Sequence, residues 1–250
     1  MANLKKHFSF VHIPKAGGTS ITEMLFELVE PEEIFPREEL FNYPLFSDIS
    51  APLNPSLFIS HFGYNFYRGA GGSCMTVMRD PVERILSLFS YWKNPGGKMA
   101  PGDPLPKDMR LTDFLWSERE DIRLNVDDAQ TWQLAFSHDM ATRRRLDGVS
   151  DEELVDVAKA NLSRMEVVGV LEAQPHFIKQ IERMFPRSRH LELSRYNATV
   201  ERTARQAVGH ADLAKIVELT SLDAKVYNFA AELVHLMMRR SHHCILGYIV

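Results

Sequence analysis

The chain reads as an α/β protein, a three-layer fold with a central parallel sheet flanked by helices, and three observations predict it. Short apolar runs alternate with longer amphipathic ones, the order that parallel strands joined by crossover helices require. The first run, FSFVHI from Phe8, passes directly through PKAGGTS into an amphipathic stretch, a strand–turn–helix unit. The composition, 45% hydrophobic and 25% charged over 250 residues, is that of one globular domain large enough to bury a full core.

Taken in order, strands are expected over Phe8–Ile13, Leu57–Ser60, Cys74–Met78, Val167–Val170 and His190–Leu193, the short apolar runs of the pattern. Helical periodicity predicts helices over Thr19–Leu28, Val82–Trp92, Leu111–Trp116, Ala129–Phe136, Asp151–Asn161, Pro175–Met184, Val200–Val208 and Leu222–Arg239. The stretch NPGGKMAPGDPLPKD, about 94–108, packs glycine and proline too densely for regular structure and reads as a mobile loop within a single domain over 1–250.

The PKAGGTS turn has the chemistry of an anion receptor. Glycines let backbone amides point inward, and a new helix leaves its first N–H groups without intrahelical partners and its dipole positive at that spot. Lys15 adds a full charge beside Gly17, Gly18, Thr19 and Ser20. The bland alternative is a Gly-rich turn followed by a helix that Thr19 or Ser20 caps. The order of residues differs from the common nucleotide loop, whose lysine follows the last glycine. Here Lys15 precedes both glycines, so its ammonium is expected to reach across the loop toward the terminal side of a bound phosphate.

A second constellation, RDPVERILS, follows the Cys74–Met78 strand. Asp80 as N-cap and Pro81 at the first helical position start a helix. Arg79 then stands at the strand's carboxyl end and Ser87 two turns into the helix. In open parallel sheets that edge holds the ligand crevice, and an arginine fork with a hydroxyl suits a doubly charged phosphate. The alternative is that Arg79 pairs with Asp80 or Glu83 and Ser87 is only a small packed residue.

Together the two segments resemble the sulfotransferases that use 3′-phosphoadenosine 5′-phosphosulfate (PAPS), and in particular bacterial relatives of the heparan sulfate 2-O-sulfotransferase branch. HIPKAGGTS is similar to that family's PK-x-(G/A)-(G/S)-TS loop and RDPVERILS to its RDP-x-x-R-x-x-S segment. LFISHFGY, DDAQTWQLAF, VVGVLEAQPHFIKQIERMF and LDAKVYNFA extend the likeness over most of the chain. The resemblance implies a P-loop-like fold, PAPS as cosubstrate and a hydroxyl-bearing acceptor, a carbohydrate or small metabolite. It implies that Lys15 contacts the sulfuryl-bearing phosphate while Gly17, Gly18, Thr19 and Ser20 cradle the 5′-phosphate. Arg79 and Ser87 are implied to read the 3′-phosphate, and His61 to be the base. The 2-O enzymes carry two histidines flanking a glycine where this chain has ISHF, so Ser60 replaces that glycine. Tyr64, Tyr67, Trp92, Trp132, Arg68, Lys93 and Arg143–Arg145 are candidates for meeting the acceptor.

Two other readings stand beside it: a P-loop kinase or NTPase with Asp80 on magnesium, and a non-catalytic module that binds a 3′-phosphoadenosine nucleotide. The net charge of -4 argues against nucleic acid as a partner. Two cysteines, Cys74 and Cys244, are too few for a disulfide framework. No leader-like segment or membrane-length apolar run is visible, and the expected location is cytoplasmic. His242, His243 and Cys244 are adjacent without a second pair at ligand spacing, so no metal is expected.

Overall fold

The structure is a computed structural model that describes residues 8–29, 57–61, 63–65, 72–93, 105–136, 148–185 and 204–246, with 239–246 as backbone only. Its strands are β1 (Phe8–Val11), β2 (Leu57–Ser60), β3 (Ser73–Met78) and β4 (Val167–Val170). They form one parallel sheet in the order β2-β1-β3-β4. The described helices are α1 (Gly18–Phe26), α2 (Pro81–Lys93), α3 (Leu111–Leu115), α4 (Glu120–Val126), α5 (Ala129–Ala135), α6 (Asp151–Leu162), α7 (Gln174–Met184), α8 (His210–Leu219) and α9 (Ser221–Leu246).

Side-chain alternation along the strands sorts the core onto two faces. Phe8, Phe10, Met75, Val77 and Val167 join Ile21, Met24 and Leu25 of α1 and Phe177 and Ile181 of α7. Val11, Cys74, Met78, Val168 and Val170 point the other way, toward α5, α6 and α9. The result is helix, sheet, helix, as expected. A satellite core gathers Val82, Ile85, Leu86, Phe89 and Trp92 of α2 with Phe114, Ile122, Val126 and Ile216. Leu105, from the stretch expected to be a mobile loop, is also buried there; 94–104 lie outside the described residues.

Most expected elements are present with ends moved by a residue or two. β1 stops at Val11 because the chain turns, with Ala16 N–H donating to the Ile13 carbonyl. Asp80 caps α2 through its Oδ1, which accepts from Glu83 N–H at 2.9 Å, and Ser150 caps α6 by accepting from Glu153 N–H. Two helices were not expected. In α4 the buried Ile122, Leu124 and Val126 recur every second residue, a strand-like period on a helix of about two turns flanked by charge. In α8 Ile216 is the buried residue, so its apolar stripe is faint. Of the expected helix Val200–Val208, the described part holds a 3₁₀ turn at Arg205–Ala207. The expected strand His190–Leu193 lies outside the described residues.

Strand order reverses between β1 and β3: β1 is followed by β2 on one side, and β3 by β4 on the other. The connections leaving their carboxyl ends therefore run to opposite sides, the switch point at which open parallel sheets hold their ligands. The PKAGGTS turn follows β1 and Arg79 follows β3, so both motifs meet there.

Candidate active site

The loop after β1 leaves the start of α1 without a side-chain cap. Lys15 has a left-handed φ of 69° and Gly17 one of 82°. Gly17 is the N-cap and supplies no side chain, while Thr19 and Ser20 sit inside the first turn, so the capped-helix alternative does not hold. No acidic residue stands in that turn. Gly18 is required sterically, because a Cβ there would collide with the His12 imidazole, and one on Gly17 would reach Leu171.

Arg79 meets this loop directly. Its Nη1 donates to the Lys15 carbonyl at 2.9 Å, and the residue is 9% exposed. Its backbone is held on both sides by Gln130: Arg79 N–H donates to Oε1 at 3.1 Å and Gln130 Nε2 donates to the Arg79 carbonyl at 3.0 Å. Lys15 Nζ lies 3.7 Å from the centroid of the Tyr91 ring, a cation–π contact. Burial, with the Arg79 guanidinium adding repulsion, pushes the Lys15 ammonium down to about 8 from an ordinary 10.5. Ser87 is buried on α2 one turn before Tyr91, so it shares the helix face that meets Lys15.

His61 follows β2 and comes to the same edge. Its Nδ1 lies 2.8 Å from the His12 carbonyl. A carbonyl only accepts, so Nδ1 is the donor in this contact, and in the neutral ring that leaves the lone pair on Nε2. The His12 and His61 rings are tilted with centroids 4.2 Å apart, and His12 stacks on Phe10. His12, Gln130 and Gln133 were missed in the sequence. His12 had a signal, since it directly precedes PKAGGTS; the glutamines lie within DDAQTWQLAF, but composition alone makes a glutamine in a helix read as surface.

Several residues of these motifs serve the scaffold instead. Arg84, within RDPVER, is fully enclosed; its Nη2 donates to the Asn125 carbonyl at 2.7 Å, and burial holds it below its ordinary value against the pull of Asp223 and Asp128. Asp223 accepts from the Gln130 and Thr131 N–H groups at the start of α5. Asp128 in turn accepts from Leu222 and Asp223 N–H at the start of α9. Asp80 is occupied as the α2 cap and lies 3.7 Å from Arg205. Its backbone N–H donates to Glu172, which also accepts from Tyr227.

Among the acceptor candidates, Tyr64 and Trp92 are core residues, and Lys93 lies over Phe89. Tyr67, Arg68 and Arg143–Arg145 lie outside the described residues, as do the side chains of His242, His243 and Cys244. Cys74 is buried and its thiol is pushed up to about 11 by burial and by Glu166. Among the described residues no helix is long and apolar enough to cross a membrane.

No family model matches the chain. Among curated proteins it is similar to heparan-sulfate 6-O-sulfotransferase 1-B of Danio rerio, 26% identical over 202 residues, covering 70% of this chain and 48% of the relative. The chain spans about half the length of the curated relative it matches. Its similarity thus runs to a sulfotransferase, at a distance, and to a 6-O enzyme where its two motifs resemble the 2-O branch.

Proposed function

We propose that the protein is a PAPS-dependent O-sulfotransferase, a single domain over 1–250 that moves the sulfuryl group to a hydroxyl of a carbohydrate or small metabolite. The observation that carries this reading is the hydrogen bond from Arg79 Nη1 to the Lys15 carbonyl. It joins the two anion-binding motifs at one sheet edge and sets two repelling cations side by side. Two cations so placed suit a ligand with two separate anionic groups, and a nucleotide with phosphates at both the 5′ and 3′ positions supplies one for each.

The residues fit that ligand. Gly17, Gly18, Thr19 and Ser20 offer backbone N–H groups and hydroxyls to the 5′-phosphate, and Lys15 the charge its sulfuryl-bearing oxygen requires. Arg79 with Ser87 receives the 3′-phosphate, which ATP lacks. In the transfer, a bond forms between the acceptor oxygen and sulfur as the bond to the phosphate oxygen breaks, the three atoms in line. Lys15 stabilises the charge that develops on the departing oxygen, and His61 Nε2 takes the acceptor's proton. The similarity to a 6-O enzyme supports transfer to oxygen.

Transfer of ³⁵S from labelled PAPS to a panel of hydroxyl acceptors tests this. His61→Asn should abolish transfer while leaving nucleotide binding intact. 3′-Phosphoadenosine 5′-phosphate at a hundredfold excess over its Kd should stabilise the fold by about 2.7 kcal/mol, and ADP far less. Equal stabilisation by ADP with magnesium, and no transfer to any acceptor, would overturn the reading in favour of a kinase-like site.

A further inference from the structure

The sheet's hydrogen-bond ladder ends just where the candidate site begins. β1 pairs with β2 up to Val11 and Ser60, and β3 with β4 up to Met78 and Val170. The next residues on three of these strands are His12, His61 and Arg79. Two glutamines of α5, both without exposed surface, act where the ladder stops. Gln130 pairs both the N–H and the carbonyl of Arg79, as a neighbouring strand would. Gln133 Nε2 donates to the His12 carbonyl at 3.1 Å and to the His61 carbonyl at 3.2 Å, using the two hydrogens of one amide.

We infer that Gln133 is a positioning residue for His61, holding the imidazole in the orientation and tautomer that a general base needs. This rests on the reading of His61 as the base. The His12 carbonyl has two lone pairs. One receives Gln133 Nε2, the other His61 Nδ1. Gln133 also holds the backbone carbonyl of His61 itself, so the ring and its main chain are fixed to a common point on the end of β1. Burying a primary amide is costly unless it is hydrogen-bonded, and an apolar side chain of that volume would fill the space as well. What the amide adds is a donor pair that draws two carbonyls, each the negative end of a dipole, toward one nitrogen. Without it those carbonyls repel, His61 loses its backbone anchor, and the proton is no longer restricted to Nδ1.

The test is two-bond ¹H–¹⁵N spectroscopy of the full ¹⁵N-labelled chain, with the His61 signals identified by their loss in His61→Asn, alongside steady-state kinetics. The unsubstituted protein should carry the proton on Nδ1. Gln133→Leu should show mixed tautomers and a kcat lower by about a hundredfold, within the range of general-base assistance, at nearly unchanged KM for PAPS. Gln133→Glu, of the same size but with an oxygen facing the two carbonyls, should do the same and carries the test if the leucine variant does not fold. A proton on Nε2 in the unsubstituted protein overturns the inference without any variant. So does a variant that keeps the Nδ1 tautomer and kcat, or one whose loss lies in KM alone. If the unsubstituted protein transfers no sulfuryl group, the proposed function fails, while the tautomer spectra still decide whether Gln133 governs His61.

Discussion

Lys15 is held where its charge is disfavoured, so replacing it should stabilise the protein while removing its function. Its ammonium sits at about 8 against an ordinary 10.5, with burial the larger cause and Arg79 the second. At about 1.4 kcal/mol per pH unit, keeping it charged at pH 7 costs the fold about 3 kcal/mol. The contact with Tyr91 returns about 1 kcal/mol. Lys15→Met keeps the length and removes the charge, and should therefore gain about 2 kcal/mol at pH 7, or about 4–8 °C in Tm for a chain of this size. The sign fixes the pH window. A base whose folded value lies below its unfolded one releases its proton first in the fold, so between about 8 and 10.5 the unfolded chain binds more protons and stability rises with pH. The advantage of the methionine variant should accordingly shrink above pH 8 and close as pH passes 10.5. Thermal unfolding of both proteins from pH 7 to 10.5 measures this. Binding of 3′-phosphoadenosine 5′-phosphate to the unsubstituted protein should weaken above pH 8, because the anion needs the ammonium. A variant less stable at pH 7, or an advantage independent of pH, would refute the reasoning.

Two further substitutions follow from the packing. Gly18→Ala places a methyl group in the His12 ring, and should cost about 1–3 kcal/mol in urea unfolding together with sulfuryl transfer, since His12 carries the anchor of His61; unchanged stability and turnover would contradict this contact. Arg84→Met leaves Asp223 buried opposite an apolar group and should cost about 3–5 kcal/mol, with part of the loss recovered in the double variant with Asp223→Asn; a loss below about 1 kcal/mol would show that the two charges are not coupled.

The parallel sheet and the placement of both motifs were legible because they depend on local signals. An apolar run that ends in glycines and a lysine leaves few alternatives to a strand, turn and helix, and RDP announces a capped helix start through Asp80 and Pro81. His61 was singled out because it follows an apolar strand at the position that resembles the family's base, and the structure carries it to the end of β2 beside His12, next to the turn that holds Lys15. What the sequence concealed were contacts made across long separations. Gln130 and Gln133 meet strands far from them in the chain, and nothing in a helix of that composition distinguishes an amide on the sheet from one in water. Helix α4 was hidden for the opposite reason: its alternating Ile122, Leu124 and Val126 give a clear local pattern of the wrong period, which packing against α2 overrides.

Arg79 and Arg84 show why a motif cannot be read residue by residue from charge alone. Both lie in RDPVER and both are buried. Arg84 is drawn toward Asp223 and Asp128, and those carboxylates in turn cap the starts of α5 and α9, so its charge is already used inside the scaffold. Arg79 instead raises the cost of a second cation, Lys15. The two arginines therefore sit in different fields: Arg84 lies near Asp223, which holds the start of α5 and so the helix that carries Gln130 and Gln133, while Arg79 lies close enough to Lys15 to lower its affinity for a proton. The scaffold arginine thus acts on the site through the helix that holds Arg79 and His61 in place.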